Sequence, residues 1–326
     1  MAERLERSPR AGVDYPATWP AFEAWFPDDR ACREYLARVR WPDGFRCVGC
    51  GHGDVWHTRR GLLMCRNCGR QTSVTAGTIF HRTRHPLRMW FAAMWFVCSQ
   101  KNGTSALALQ RQLGFGSYET AWTWMHKLRR AMVRPDRERL GGPGVAVELD
   151  ETWVGGRAYL HPRARFANKT EVAIAVERRH PRGLGRVRMR RISRNRKDDI
   201  EAFSADSIAP GTVLYTDGAN MYDGLAQLLN VTHQPIVLIT SGDPAHLHLP
   251  AVHRVASLLK RWLAGTLHHG QSLDHIDYYL DEFTFRFNRR NSRSRGMLFY
   301  RLLQQAVNTD PHPYHDLIWH PTWSLE

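Results

Sequence analysis

The sequence predicts an α/β protein in which a mixed sheet flanked by helices follows a cysteine-rich segment and a small helical domain. Two Cys-x-x-Cys pairs lie between residues 47 and 68, and helical periodicity dominates residues 85–134. From residue 145 onward, strands with alternating apolar residues interchange with helices. At 326 residues, the chain is long enough for two or three domains and a sizeable core.

The charge balance favours a polyanionic partner. The chain carries 46 Lys and Arg against 31 Asp and Glu, a net charge of +15, and the basic residues are spread along its length. Such a field attracts nucleic acid first, and a merely basic protein is the alternative. No apolar run reaches the ~18–20 residues that cross a bilayer, and the N-terminus lacks the apolar core of a signal peptide. We therefore expect a cytoplasmic protein that makes no membrane contact.

Residues 1–40 are predicted to form an N-terminal helical segment, and residues 41–75 a zinc ribbon. The ribbon cysteines form two pairs with fourteen residues between them, a spacing typical of zinc sites. They are Cys47, Cys50, Cys65 and Cys68. Four thiolates meet at tetrahedral geometry around one ion, and this set leaves no open position, so the zinc is expected to be structural. Residues 55–57 and 62–64 are predicted to pair as a hairpin; redox cysteines are the alternative.

Residues 85–134 are predicted to form a helix-turn-helix-like domain. Helices are expected over 86–99, 105–113 and 118–132, and Gly114–Ser117 form the turn before the last of them. That helix ends in basic residues, for which a packing role is the alternative to DNA binding. The candidate DNA contacts are Lys127, Arg129 and Arg130. Residues 135–144 are interpreted as a linker.

From residue 145 the pattern changes to that of a mixed sheet. The predicted elements are strands over 145–154, 170–177 and 185–192, a helix over 198–208, a strand over 212–218, a helix over 221–229 and a strand over 231–239. Helices over 252–267 and 273–290 complete the domain 145–290, and residues 291–326 add a C-terminal helix and a tail. By analogy, this order is that of a ribonuclease-H-like sheet.

Two acids stand on these strands, where burying an unpaired carboxylate is costly. Asp150 lies mid-strand, Asp217 ends a strand 67 residues later, and His253 begins a helix after 36 more. Adjacent strands and a packed helix can bring the three together. For Asp150 alone, a salt bridge to an arginine is the simpler explanation. A cluster of three instead favours a pair of divalent ions for phosphoryl transfer on DNA, and carboxylates suit Mg²⁺ or Mn²⁺.

Several stretches resemble a known family. They are Arg40-Trp-Pro-Asp-Gly-Phe45, Cys65-Arg-Asn-Cys-Gly-Arg-Gln71, Ala76-Gly-Thr-Ile-Phe80, Glu148-Leu-Asp-Glu-Thr152, Tyr215-Thr-Asp-Gly218, Leu258-Leu-Lys-Arg-Trp262 and, most specifically, the run from Tyr279 to Arg290. The chain resembles the ISXO-type DDE transposases of bacterial insertion sequences, which place a zinc ribbon ahead of a ribonuclease-H-like catalytic domain. Taken as a whole, the resemblance covers roughly residues 20–308.

The resemblance implies a metal-dependent enzyme that cuts at the terminal inverted repeats of its element and joins the ends to target DNA. It implies a homo-oligomer on double-stranded DNA, associated with the bacterial nucleoid. It also implies that Asp150 and Asp217 are the first two members of an acidic triad. Where many relatives carry Glu, seven residues before a Lys-Arg pair, this chain carries His253. We expect the neutral imidazole to replace that glutamate as a metal ligand; a crippled enzyme is the alternative.

Other residues are candidates for supporting roles around this triad. Asp243, His246, His248 and Glu282 are alternative third ligands, although Glu282 could instead pair with Arg286, one helical turn on.

Two acids next to Asp150 and two cations on the later helix complete the candidate site. Glu148 shares the face of Asp150 and is a candidate supporting group. Glu151 faces away, where an arginine partner is preferred. Lys260 and Arg261 are expected to hold DNA phosphates. A catalytically silent zinc-ribbon regulator and a nuclease that cuts without joining are the alternative functions.

Overall fold

The computed structural model describes residues 8–134, 137–156, 168–179, 183–193, 196–236, 248–267 and 272–319. The chain divides into two compact units. The first combines the residues up to Arg134 with those from Asn291 onward, and the second runs from Pro135 to Arg290. In the described ranges, no helix has the length and apolar character that a membrane span requires.

Helices and strands are numbered here in chain order. The helices are α1 (Trp19–Trp25), α2 (Asp29–Arg40), α3 (Leu87–Ser99), α4 (Ala106–Leu113), α5 (Tyr118–Arg130), α6 (Lys197–Ser207), α7 (Leu225–Leu229), α8 (Pro250–Leu267), α9 (Ile276–Asn288), α10 (Arg295–Ala306) and α11 (Tyr314–Trp319). The strands are β1 (Val55–His57), β2 (Leu63–Cys65), β3 (Gln71–Thr72), β4 (Leu140–Gly141), β5 (Ala146–Gly155), β6 (Lys169–Arg178), β7 (Leu184–Ile192), β8 (Ile208–Ala209), β9 (Val213–Thr216) and β10 (Thr232–Pro235).

The N-terminal stretch predicted as helical forms two helices. The hydroxyl of Thr18 accepts a hydrogen bond from the Ala21 amide and caps α1. A carboxylate oxygen of Asp28 accepts one from the Ala31 amide at 2.8 Å and caps α2. Such side chains satisfy amides that have no partner within the helix. The second cap therefore starts a new helix at Asp29 and interrupts the predicted one.

The core of the first unit combines residues from both ends of the chain. The fully buried Phe299 of α10 lies with its ring 5.7–6.0 Å from the rings of Phe22, Phe26, Phe91 and Trp95. Gly296 sits against the backbone of Pro16, where an added Cβ would lie 1.8 Å from the carbonyl oxygen. Helix α10 therefore belongs to the same core as α1, α2 and α3.

The ribbon and the following helices form as the sequence pattern indicates. Strands β1 and β2 pair antiparallel, which confirms the predicted hairpin, and β3 adds a third strand that was not predicted. Helix α4 ends at Gly114 in a left-handed conformation, and the Ser117 hydroxyl caps α5. The rings of Trp90 and Trp124 stack at 3.6 Å and join α3 to α5. The three helices of the predicted helix-turn-helix-like domain are thus present.

The second unit is built on a five-stranded sheet in the order β10-β9-β5-β6-β7. Strands β5, β6 and β7 form an antiparallel meander, while β9 runs parallel to β5 and β10 parallel to β9. This mixed sheet confirms the predicted α/β class and the ribonuclease-H-like order. Strands β4 and β8 form a short parallel pair, so part of the predicted linker is ordered as a strand.

Helices cover both faces of the sheet. Alternate residues of β5 divide between them, because successive side chains of a strand point to opposite sides. Val147 and Leu149 pack in a core with residues of α6 and α7. Val154 packs in the second core with α8 and α9. Glu148 and Asp150, which share the parity of Val154, therefore face α8.

The side chain of Asn288 covers the edge strand β7 as a neighbouring strand would. Its Oδ1 accepts from the Val187 amide at 2.7 Å, and its Nδ2 donates to the Val187 carbonyl at 3.1 Å. Arg290 donates to the carbonyls of Leu184 and Gly185. The end of the sequence run most specific to the family therefore closes a sheet edge, whose open backbone groups would otherwise invite strand pairing.

Asn288→Ala is expected to destabilise this edge by about 1–3 kcal/mol, because it removes the acceptor of the Val187 amide. The Val187 carbonyl keeps a second donor, the guanidinium of Arg188. Hydrogen exchange at the Val187 amide should accelerate in the variant. Asn308→Ala is the matched control, since the side-chain amide of Asn308 donates to the Gln304 carbonyl at an exposed helix end. Equal protection of Val187 in the Asn288 variant and the wild type would contradict this role.

Candidate active site and metal centre

The four ribbon cysteines converge on one point. Their sulfur atoms all lie within 4.8 Å of one another, and the Sγ–Sγ distances are 3.6 Å for Cys47–Cys68 and 3.6 Å for Cys50–Cys65. Zn–S bonds of ~2.3 Å at tetrahedral angles place sulfurs ~3.8 Å apart, whereas a disulfide needs ~2.05 Å. The spacing therefore fits a structural zinc ion and excludes disulfides among these pairs.

Backbone amides favour the thiolate form at the two cysteines of the first pair, Cys47 and Cys50. The amide of His52 is the main cause that lowers the pKa of Cys50 to about 6, and the amide of Gly49 lowers the pKa of Cys47. A lowered pKa favours the thiolate, which is the form that binds metal. The two remaining cysteines, Cys32 of α2 and Cys98 of α3, are buried.

Asp150 and Asp217 lie on neighbouring parallel strands. In the register of β5 and β9, Glu148 is opposite Tyr215. Asp150 and Asp217 each follow two residues later, so both acids stand at the same end of the two strands. Asp217 comes directly after β9, where its Oδ1 accepts from the Ala219 amide at 3.0 Å. The charge of Asp217 contributes to a raised pKa of Asp150.

His253 completes this group from the first turn of α8. Its Nε2 lies 3.7 Å from Oδ2 of Asp150. The side chain of Asp150 is 15% exposed and that of His253 is 34% exposed, so the pair remains open to solvent. In the described ranges, the group of three or more possible metal ligands whose donor atoms all lie within 4.8 Å of one another consists of the four ribbon cysteines. The ligand atoms of Asp150, Asp217 and His253 therefore do not all lie within that distance of one another.

The electrostatics of this group favour a cation. The pKa of Asp150 is raised to about 7, mainly by burial and in addition by the charges of Asp217 and Glu148. The Glu151 amide and Lys260 act in the opposite direction and lower this pKa. Two carboxylates and an imidazole form an oxygen and nitrogen donor set that suits Mg²⁺ or Mn²⁺. A divalent cation would offset the charge repulsion, so these residues fit such an ion.

Glu151 has a different partner from the arginine that was expected. Its Oε1 accepts a 2.5 Å hydrogen bond from the hydroxyl of Tyr222, which is fully buried in the turn after Asp217. The pKa of Glu151 is raised to about 8, mainly by burial and in addition by the nearby acids Asp150 and Asp217. Sequence reasoning missed Tyr222 because its contact depends on the turn that brings residue 222 beneath β5.

The fully buried Glu148 forms an ion pair with the partly exposed Arg178, and the sequence only partly indicated this pair. The pair joins β5 to the end of β6, with Nε of Arg178 2.5 Å from Oε1 of Glu148. Glu148 was a candidate supporting group, but Arg178 was not identified. A usable signal was present, because a buried acid on an apolar strand requires a basic partner, and Arg178 ends the apolar strand that follows.

The alternative third ligands lie elsewhere. Glu282 pairs with Arg286 at 2.8 Å within α9, as their spacing predicted. His248 precedes α8, and its carbonyl accepts from Arg178 at 3.2 Å. Asp243 and His246 lie outside the described residues. Of the candidates that are described, His253 is the one beside Asp150.

The predicted DNA contacts differ in accessibility. Arg129 is only 2% exposed, and Arg130 contacts His312 of the same unit at 3.1 Å. Lys127 is half-buried, and burial lowers its pKa. The basic end of α5 is thus used largely within the first unit, which is the packing role that was kept as the alternative.

One of the two cations predicted on α8 interacts with Asp150. Lys260 and Arg261 are exposed on α8, and Lys260 interacts electrostatically with Asp150. Lys169, at the start of β6, interacts with Lys260 and was not identified from the sequence.

Comparison with known proteins agrees with both units. The ISXO2-like transposase domain matches residues 139–288, and the transposase zinc-ribbon domain matches residues 27–71. The chain is similar to an uncharacterized protein in transposable element ISH50 of Halobacterium salinarum, with 28% identity over 282 residues. The match covers 80% of this chain and 91% of that protein. The chain therefore carries an ISXO2-like transposase domain and, ahead of it, a transposase zinc-ribbon domain.

Proposed function

We propose that this transposase is an active enzyme that cuts at the ends of its insertion sequence and joins them to target DNA. The observation that carries the proposal is the meeting of Asp150 and His253 at 3.7 Å beside Asp217, from positions far apart in the chain. A silent regulator would not need a second carboxylate, Asp217, whose charge raises the pKa of the largely buried Asp150. We further infer that the enzyme acts in the cytoplasm, on nucleoid DNA.

The reaction requires two in-line displacements at phosphorus. Asp150, Asp217 and His253 would hold Mg²⁺ or Mn²⁺, which supplies activation of the attacking oxygen and stabilisation of the leaving oxygen. The first displacement uses water and frees a 3′-hydroxyl at the end of the element. That hydroxyl attacks target DNA in the second. Lys260 and Arg261, exposed on the same helix as His253, would bind phosphates on either side of the reacting one.

Recognition of the terminal repeats is proposed for the first unit, with the zinc ribbon as its main contact. Exposed arginines surround the ribbon and include Arg59, Arg60, Arg66 and Arg70. Arg66 lies over the exposed ring of Trp56, 5.7 Å from its centre. Phosphate contacts of this kind make affinity fall steeply with salt. Because two ends must be joined, we propose a homo-oligomer on double-stranded DNA.

The test supplies terminal-repeat DNA with Mg²⁺ or Mn²⁺ and follows cutting and strand joining separately. The proposal expects both products. Binding without cutting would instead support a regulator, and cutting without joining would support a nuclease. An unrelated DNA of equal length and composition serves as the control for end recognition.

His253 can be tested as the third ligand by two substitutions. His253→Ala is expected to reduce end cleavage by more than about 10-fold, since loss of a group near a metal costs at least that much. His253→Glu should restore activity above the alanine variant, because a carboxylate at this turn also faces Asp150. Cleavage rates are compared at saturating Mn²⁺. Full activity of the alanine variant would remove His253 from the site.

A further inference from the structure

We propose that Glu148 and Arg178 are positioning residues that hold Asp150, Asp217 and His253 in register for metal binding. The inference rests on the proposed function, because it concerns the metal site of that reaction. The pair itself does not face the reacting atoms. It contacts each of the three elements that carry the site residues, close to the residue in question.

Glu148 links the strand of Asp150 to the helix of His253. It is fully buried on β5, two residues before Asp150. Its Oε2 accepts from the amide of Val252 at 2.8 Å, and Val252 directly precedes His253 in the first turn of α8. Amides in this turn have no partner within the helix, and a carboxylate there is favoured by the helix dipole. One side chain thus fixes the separation between β5 and the start of α8.

Arg178 extends the same link to the strand of Asp217. Its guanidinium lies over the ring of Tyr215, 4.4 Å from the centre, and Tyr215 precedes Asp217 by two residues. Its second terminal nitrogen donates to the His248 carbonyl at 3.2 Å, at the entrance to α8. The planar guanidinium of Arg178 therefore contacts β9 through its face, Glu148 through one edge and the chain before α8 through another edge.

Stability alone does not account for such a pair. Well-packed apolar residues of similar volume often stabilise a fold as well as a buried ion pair does. An ion pair adds direction, because its hydrogen bonds tolerate little movement of the groups they join. Groups that orient metal ligands typically change metal affinity 10–100-fold when altered. The prediction is therefore a change in metal affinity that exceeds any general effect of losing a buried pair.

The chain contains a matched control. Glu282 and Arg286 also form an ion pair with a fully buried glutamate, at 2.8 Å, in the same unit. Both residues lie within α9, which is a different element from β5, β9 and α8. Glu282→Gln therefore removes a comparable buried charge without disturbing the connection between β5, β9 and α8.

The experiment measures Mn²⁺ binding by titration calorimetry, with the full-length protein first saturated with zinc. Glu148→Gln is expected to raise the Kd for Mn²⁺ by about 10–100-fold, and Glu282→Gln should stay within about twofold of wild type. Affinity for terminal-repeat DNA, measured without Mn²⁺, should be unchanged in both. An unchanged Kd in Glu148→Gln, or an equal increase in Glu282→Gln, would overturn the proposal.

Arg178→Lys keeps the test decisive if Glu148→Gln does not fold. A lysine preserves the positive charge beside Glu148. Its single ammonium group cannot contact the Tyr215 ring and the His248 carbonyl at the same time, as the guanidinium of Arg178 does, so the Kd for Mn²⁺ should again increase. A wild-type Kd in a folded Arg178→Lys protein would also overturn the proposal. Failure of the proposed function would give a different result. The wild type would then bind Mn²⁺ without cutting DNA, or its Mn²⁺ binding would not depend on Asp150.

Discussion

Asp150→Asn is expected to reduce end cleavage and joining by more than about 100-fold, and to leave terminal-repeat binding within about twofold of wild type. The amide keeps the size of the side chain but removes the charge that a divalent cation requires. Groups that only support metal ligands already cost 10–100-fold, so the loss of a ligand should exceed that range. Cleavage assays at saturating Mn²⁺ and salt-matched binding titrations measure the two quantities.

Asp198→Asn provides the control for this substitution. Asp198 is an exposed acid in the first turn of α6, in the same unit as Asp150. Its replacement should leave cleavage unchanged. If Asp150→Asn retained cleavage comparable to that of the control variant, the carboxylate cluster would not be the catalytic centre.

The same substitution should stabilise the protein when no divalent cation is added. The pKa of Asp150 is raised to about 7 from an ordinary value of 3.8, mainly by burial. A group with a raised pKa destabilises the folded state as pH increases from 3.8 to 7, because the unfolded state releases its proton first. The advantage of Asn over Asp should therefore be absent below pH 4 and reach a few kcal/mol, by order of magnitude, above pH 7. Thermal unfolding at several pH values measures it.

Cys65→Ser is expected to release the ribbon zinc and to abolish specific binding of terminal repeats. Structural zinc contributes about 10–16 kcal/mol of apparent binding free energy in small zinc domains, so the ribbon should unfold without it. The five-stranded sheet belongs to the other unit and should persist. Metal analysis, DNA binding and circular dichroism measure the three effects. Cys98→Ala, in the helical core, should keep one zinc per chain, and stoichiometric zinc in Cys65→Ser would contradict this assignment.

Local pattern was sufficient to predict most of the elements. Alternating residues predicted β5 from 145 to 154, and it is observed as Ala146–Gly155, because period-two burial is a property of the strand itself. The ribbon was predictable for a similar reason, since metal ligands impose a fixed spacing. Helix α8 was predicted from 252 and begins at Pro250. Each of these signals lies within a short window of sequence.

The features that escaped prediction depend on contacts between distant positions. Tyr222 reaches Glu151 across 71 residues, and Arg178 reaches the His248 carbonyl across 70. No periodicity marks such partners in advance. The same reason explains the basic end of α5, where the pattern suggested a DNA contact. Burial of Arg129 follows from tertiary packing that charge and spacing do not encode.

The split core of the first unit has a consequence for synthesis of the protein. Phe299 packs against rings of residues made more than 200 positions earlier, such as Phe91 and Trp95. Domains generally fold as the ribosome releases them, at about 5–20 residues per second. The unit 135–290 can therefore fold first, while the earlier one waits with exposed aromatic surface for α10 to emerge. Chains that terminate early at about residue 290 should fold their sheet but expose this aromatic surface, and should therefore aggregate.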